Sequence, residues 1–307
     1  MTVTTSLPAP GRALRRPGSG LAGGRRRAGY LFVSLYVVLL VLFGVAPTAY
    51  ALYLSLTRPG SKWAGLHNFL ATAHDYRFVP ALEHIAVYLL VWLVVLVVLV
   101  LLLALLLHGG IKKLVPVFRF LFYIPGALAG SASVLVWLFM LDPPISPWHP
   151  VESLFHLSSL PQVVEPGHLP FIFAMIAFWT GAGGWIVVMN GALNNISDEV
   201  LESARIDGAN AVQVALRVKL PLIRKWVVYM VILAFAAGTQ LFVEPTLVST
   251  ASFGEVSQFW SPNQLAYYTA FTEANFNYAA AISVDLLIVC ALVAGLLVFR
   301  SKLFEIE

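Results

Sequence analysis

Residues 194–226 read NNISDEVLESARIDGANAVQVALRVKLPLIRKW and separate two long apolar runs. Local physics orders this polar stretch. Ser197 suits a helix N-cap, and Asp198 and Glu199 fall in a first turn, where the helix dipole favours acids. A short helix is expected to run to about Ile206, with Gly208 as the break. A second short helix follows, in which Ala211, Val212, Ala215 and Leu216 recur at i, i+1, i+4, i+5 as one apolar stripe. Pro221 is expected to end that segment and to suit the first turn of the apolar run beyond it. The stretch therefore reads as a helix–turn–helix knuckle with a small-residue, partly apolar face.

Outward from the knuckle, apolar runs fall at about 30–54, 85–107, 120–141, 170–190, 226–248 and 279–299. At about 1.5 Å rise per residue, each can cross roughly 30 Å of hydrocarbon. Gly44 and Pro47 in the first run and Pro125 in the third are tolerated where neighbouring helices or water satisfy the freed carbonyls. Composition agrees, because 59% of residues are apolar and only 11% are charged, where a soluble globular chain carries roughly a quarter charged. The expected fold is an all-α integral membrane protein with six transmembrane helices over residues 30–299. A Pro-, Gly-, Ser- and Arg-rich disordered tail is expected at 1–29 and a short tail at 300–307. The Arg-rich start also resembles a secretory signal, with Ala49-Tyr50-Ala51 as its cleavage site. The apolar run exceeds the roughly 7–15 residues of a signal, so an uncleaved first span is expected.

Charge sets the orientation. With the N-terminus in the cytoplasm, inside segments hold 16 of the 19 Lys and Arg residues, leaving Arg58, Lys62 and Arg77 outside. Both termini and the knuckle are thus expected in the cytoplasm. The net charge of +4 is scattered over connections and implies no nucleic-acid partner. The lone cysteine, Cys290, lies in an apolar run and reads as a small buried hydrophobe.

Within this frame the chain resembles a known family. Glu202-Ser203-Ala204, three residues, Gly208, nine residues, Val218, one residue and Leu220-Pro221 are similar to the EAA loop of ABC importer permeases. Asp207 before the glycine fits the sugar-type version, while Ser203 and Val218 depart from the usual Ala and Ile. Gly65-Leu66-His67-Asn68-Phe69, the stretch from Arg119 to Pro125 with Trp137, residues 240–245 (QLFVEP) and Ala281-Ile282-Ser283 resemble further family segments. The resemblance covers most of the chain from about residue 30. It points to the first of a pair of maltose/oligosaccharide-type permeases. The usual Gly-Gly-Pro after the fifth span is missing, and Ser252-Phe253-Gly254 stands there.

The resemblance implies a non-catalytic subunit of the bacterial inner membrane, forming half of a pathway for a sugar or oligosaccharide. Implied partners are a second homologous permease, two cytoplasmic ATP-binding subunits that carry ATP and Mg, an extracytoplasmic solute-binding protein, and membrane lipid. Glu202, Ser203, Ala204, Asp207, Gly208, Leu220 and Pro221 would form a coupling helix and its supports, docked on the ATPase. The chain itself contains no G-x-x-x-x-G-K-[ST] phosphate cradle, so hydrolysis would belong to another polypeptide.

Ionisable and amide groups inside spans are costly and mark candidate pathway residues. Gln240 and Glu244, four apart, are expected on one face of the fifth helix. Asp285 lies in the sixth span, Asn190 closes the fourth, and Trp179 lies within it. Amides and carboxylates recognise sugar hydroxyls, and an aromatic ring meets the sugar's apolar face. Plainer roles compete: a helix–helix link for Gln240, interfacial satisfaction for Asp285, ordinary packing for Trp179. His149, His156 and His168 share a loop at spacings that fit no metal pattern. The alternative of an ion-gradient-driven secondary transporter would call for an internal repeat over more spans. A membrane enzyme would call for paired acids or a nucleophile–base set, and neither is evident.

Overall fold

The computed structural model describes residues 30, 32–110, 115–128, 130–147 and 156–301. The tail expected at 1–29, residues 302–307 and His149 lie outside the described residues. Contacts divide the chain into two units, with the division after Tyr50. Helix α1 (Phe32–Ser55) contains an apolar window of spanning length with no buried residue. Its turn at Val41–Val45 is widened, so that the Ala46 N–H reaches the Val41 carbonyl. Pro47, next in the chain, has no N–H to continue the regular ladder. Thr48 Oγ1 instead donates to the Gly44 carbonyl at 2.8 Å.

In residues 51–307, a hairpin of β1 (Thr57–Arg58) and β2 (Lys62–Trp63) precedes helix α2 (His67–His74). Buried Asn68 donates to the Ser55 and Thr57 carbonyls at 2.8 and 2.9 Å, which closes the hairpin onto the preceding helix end. Helix α3 (Phe78–Gly109) is apolar all round, yet it has two faces. Ile85, Leu89, Trp92, Leu96, Val100 and Ala104 are buried, while Val87, Leu90, Val94, Val98, Leu102 and Leu106 are exposed. Both series recur about every fourth residue, the pattern of a helix with one face on protein and the other available to lipid. The buried face packs on α7 (Leu169–Asn194), the largest helix pair in the fold.

Helix α4 (Val115–Tyr123) passes through a tight turn at Ile124–Ala127 to α5 (Gly130–Leu141). After the short α6 (Leu160–Val163) and α7 come α8 (Asp198–Ile206), α9 (Ala211–Leu222), α10 (Arg224–Gly238), α11 (Val243–Ala251), α12 (Pro262–Phe271) and α13 (Phe276–Ser301). Among the described residues four helices, α1, α3, α7 and α13, are long and apolar enough to cross a membrane. The number rises to as many as six if each of two bent pairs, α4–α5 and α9–α10, is one span.

Two expected helices are not continuous. The run at 120–141 breaks around Pro125, which has no N–H, and Gly126, where an added Cβ would come 2.7 Å from the Thr180 carbonyl oxygen. The run at 226–248 stops at Gly238 and resumes at Val243. Pro245 explains this second break. A continuous helix would leave the Leu241 carbonyl without its donor four residues on. Ser261 Oγ supplies that donor at 2.9 Å, and Asn263 Nδ2 donates to the Thr239 carbonyl at 2.9 Å. The start of α12 thus satisfies a broken helix, as spanning segments require. Its own cap is reciprocal: the Gln264 N–H donates to Ser261 Oγ, and the Ser261 N–H to Gln264 Oε1.

At the α2–α3 turn, Arg77 donates to Asp75 at 2.8 Å and to Glu273 at 2.7 Å, tying this turn to the one between α12 and α13. The Arg77 and Asp75 side chains are only 14% and 8% exposed. Burial pushes the Asp75 carboxyl up, but the Arg77 hydrogen bonds outweigh it and hold the group below its ordinary value. Because the folded value is depressed, this stabilisation is present above the ordinary carboxylate range and is lost as pH falls through the folded value. Arg77→Met should cost about 2 kcal/mol at neutral pH, read as a lower melting midpoint of the full chain in nanodiscs. The deficit should shrink below about pH 4. A midpoint unchanged at neutral pH would remove the tie from the account.

Candidate functional site

The break at Thr239–Phe242 opens a groove of about 440 Å³ between α3, α7 and α10. Gln240 and Glu244 both line it, with Tyr88, Trp92, Thr180 and Trp185. They meet for a reason other than the expected one. Gln240 lies in the turn after α10, and Glu244 stands in the first turn of α11, so no single helical face carries them. An acid is favoured there by the α11 dipole. Glycine shapes one wall. At Gly238 an added Cβ would meet Leu89 Cδ2 at 2.7 Å and Trp92 Cδ1 at 3.2 Å. Amide and carboxylate side chains thus line the same groove as two indole rings, a combination suited to a polyhydroxylated solute with apolar faces.

The other pathway candidates lie elsewhere. Trp179 packs edge-on against Trp137, with ring centroids 6.0 Å apart, and is not among the groove's lining residues. Asp285 is half-buried on α13 and is not among the residues that line the groove. Asn190, 1% exposed, accepts from Arg119 and from Asn194 Nδ2 toward the far end of α7. The residues that sequence reasoning missed are Tyr88, Trp92 and Trp185. Their only signal was a large ring on an otherwise aliphatic or small-residue helix, which does not say which ring turns inward.

The knuckle is built from α8, a turn at Gly208 and α9. Ser197 stands at the N-cap of α8 with extended backbone but makes no side-chain cap bond. Gly208 has φ +83°, and its N–H donates to the Arg205 carbonyl at 3.0 Å. The start of α9 is fastened by Asn210 and Gln213, whose side chains each accept from the other's backbone N–H. That reciprocal cap is legible in the sequence as N-x-x-Q. Contrary to the expectation from the sequence, Pro221 does not end the segment. The helix runs on to Leu222 and bends by 68° at Ile223. It accommodates Pro221 through a widened turn at Val214–Lys219, which spares the missing N–H.

On this knuckle Glu202, Ser203 and Asp207 are exposed, Ala204 and Leu220 half-buried, and Pro221 exposed. Ser203 turns its hydroxyl back to the Glu199 carbonyl at 2.8 Å, so the polar residue adds little bulk. The expected stripe over Ala211–Leu216 is only partly the packing face. Val214 is the buried residue, while Ile206, Val212 and Leu216 are 85%, 65% and 57% exposed. Together they give the knuckle an uncovered apolar tip.

No family model matches the chain. Curated relatives do, over nearly its whole length. The arabinooligosaccharides transport system permease protein AraP of Bacillus subtilis is 28% identical, covering 99% of this chain and 97% of that protein. The multiple sugar-binding transport system permease protein MsmF of Streptococcus mutans is 26% identical, covering 91% and 96%. The solved bacterial alginate ABC transporter, in complex with an alginate pentasaccharide-bound periplasmic protein, contains a chain of the same fold. It has a TM-score of 0.79 at 17% identity, with 92% and 96% covered. The resemblance to carbohydrate-type ABC importer permeases therefore stands: these relatives are permeases of sugar transport systems, and the fold is shared with a chain of the alginate transporter.

Proposed function

We propose that this chain is one permease subunit of an ATP-driven sugar importer, with six spans: α1, α3, the bent pair α4–α5, α7, the broken α10–α11 that follows the knuckle, and α13. The observation that carries the reading is the knuckle. A compact turn around Gly208 bears an apolar tip and exposed acids, at the end that charge distribution assigns to the cytoplasm. Such a surface suits docking on an ATPase subunit that moves as its nucleotide sites close. A second permease would complete the pathway, and a solute-binding protein would deliver the sugar, as the periplasmic protein in the alginate complex supports by analogy. ATP and Mg belong to the ATPase subunits in this reading. The termini would lie inside, in a bacterial inner membrane.

In this reading the groove at the break in the fifth span handles the solute. Glu244 and Gln240 would bond hydroxyls while Trp92 and Trp185 meet the ring faces. Glu244→Gln should weaken uptake about tenfold, because a charge-assisted hydrogen bond becomes a neutral one. Trp179→Phe should leave uptake near normal. The measurement is initial uptake of the sugar carried by the cognate binding protein; equal effects of the two substitutions would remove the groove from the pathway.

Discontinuous spans also occur in ion-driven carriers, so that alternative keeps one observation in its favour. Vesicles holding the chain with its co-expressed neighbours separate the two. Uptake driven by ATP and abolished without the ATPase supports the importer. Uptake by the single chain on a proton gradient would replace it with the carrier.

A further inference from the structure

We propose that the cavity bounded by the Gly109 end of α3, the Asn194 end of α7 and the knuckle is a binding site for a phosphate group. The cavity measures about 600 Å³, and Arg119, Asn190, Arg205 and Lys219 all line it. Its floor is a built polar layer. Arg119 donates to Asn190 Oδ1, as does Asn194 Nδ2 at 3.1 Å, so that one oxygen serves two donors. Two further donors are left over: Arg119 Nε and Asn190 Nδ2 are buried and have no hydrogen-bond partner among the described residues. Buried donors without acceptors are rare and costly, and both belong to residues that line the cavity.

The rim is cationic. Lys219 Nζ lies 2.9 Å from His108 Nδ1, at hydrogen-bonding distance. Burial, and then the charge of Arg205, hold the Lys219 ammonium below its ordinary value. Asp198 also lines the cavity, but among the described residues it forms no ion pair with Arg205 or Lys219. Guanidinium, ammonium and amide groups line the cavity from four separate helices, an arrangement that suits a tetrahedral oxyanion with several acceptor oxygens better than a planar carboxylate.

Two sources share this chemistry: the headgroup of an anionic phospholipid, or a soluble phosphate or phosphate monoester of the cytoplasm. Basic pockets where spans leave the cytoplasmic side of a membrane suit the first, and that assignment rests on the proposed orientation. The test uses the full chain in nanodiscs of phosphatidylcholine. In one arm, phosphatidylglycerol is mixed in and lipid retained through release is counted by native mass spectrometry. In the other, inorganic phosphate and glycerol 3-phosphate are titrated and the melting midpoint is followed.

Selective retention of phosphatidylglycerol assigns the headgroup, and a saturable rise in midpoint in pure phosphatidylcholine assigns the soluble anion; either supports the site. Lys219→Gln should weaken the effect about tenfold, and Asp198→Asn should strengthen it. Both positions are less critical to packing than Arg119, and the two signs oppose each other, so misfolding cannot imitate the pair. No retention and no shift would overturn the proposal. So would binding that neither substitution alters. The readout does not involve transport, so its failure would leave the importer reading untouched.

Discussion

Replacing Gly183 with alanine is expected to destabilise the protein more than any other single methyl group added to its glycines. The new Cβ would lie 2.1 Å from the Phe122 carbonyl oxygen and 2.9 Å from the Tyr123 Cα, at the point where α4 crosses α7. Both are backbone atoms, so no side-chain rotation relieves the clash and the helices must separate. Overpacking ordinarily costs about 1–3 kcal/mol, and a contact this deep into backbone should reach the upper end or pass it. The same displacement should part Arg119 from Asn190, since these residues sit on the two helices that move. Gly184→Ala is the control, because an added Cβ there meets nothing within 4 Å. It should be neutral, or stabilising by up to about 1 kcal/mol through helix propensity. Melting in nanodiscs compares the two, and a Gly183→Ala protein as stable as the control would contradict the close crossing.

At Gly208 the expected loss is of coupling rather than of fold. A Cβ there meets nothing within 4 Å, so space is not the constraint. The constraint is φ +83°, which proline cannot adopt, together with an N–H that bonds the Arg205 carbonyl and that proline lacks. Gly208→Pro should therefore re-aim α9 relative to α8 while the spans insert normally. On the proposed reading, ATP-driven uptake falls at least about tenfold while hydrolysis continues. Glu202→Lys should do the same by reversing an exposed charge, without altering the turn. Paired measurements of hydrolysis and uptake in proteoliposomes decide the matter. Normal coupling in both variants would end the assignment of this knuckle.

The knuckle was legible because its order is local. Asp198 and Glu199 in a first turn, Gly208 at a positive φ and a fresh helix from Ala211 all depend on neighbours within a few residues. The break in the fifth helix was not legible as a site. Pro245 is visible in the sequence, but it forbids a regular helix only if nothing else serves the Leu241 carbonyl. The group that does serve it, Ser261, stands 20 residues away. Trp92 and Trp179 are equally anonymous in their apolar runs. One lines the groove and the other packs on Trp137, a difference made by which face of α3 and α7 meets α10.

By itself, the amino-acid order determined where long helices form, the location of the charged connections, and the turn that shapes the knuckle. These follow from hydrophobic run length, charge and backbone preference, which act within a few turns of chain. Tertiary structure alone decided that Gln240 and Glu244 share a groove across a broken helix and that Asn190 turns away to Arg119. The physical reason is that an unsatisfied carbonyl or amide inside a membrane accepts whichever donor packing delivers, and that donor comes from a distant part of the chain.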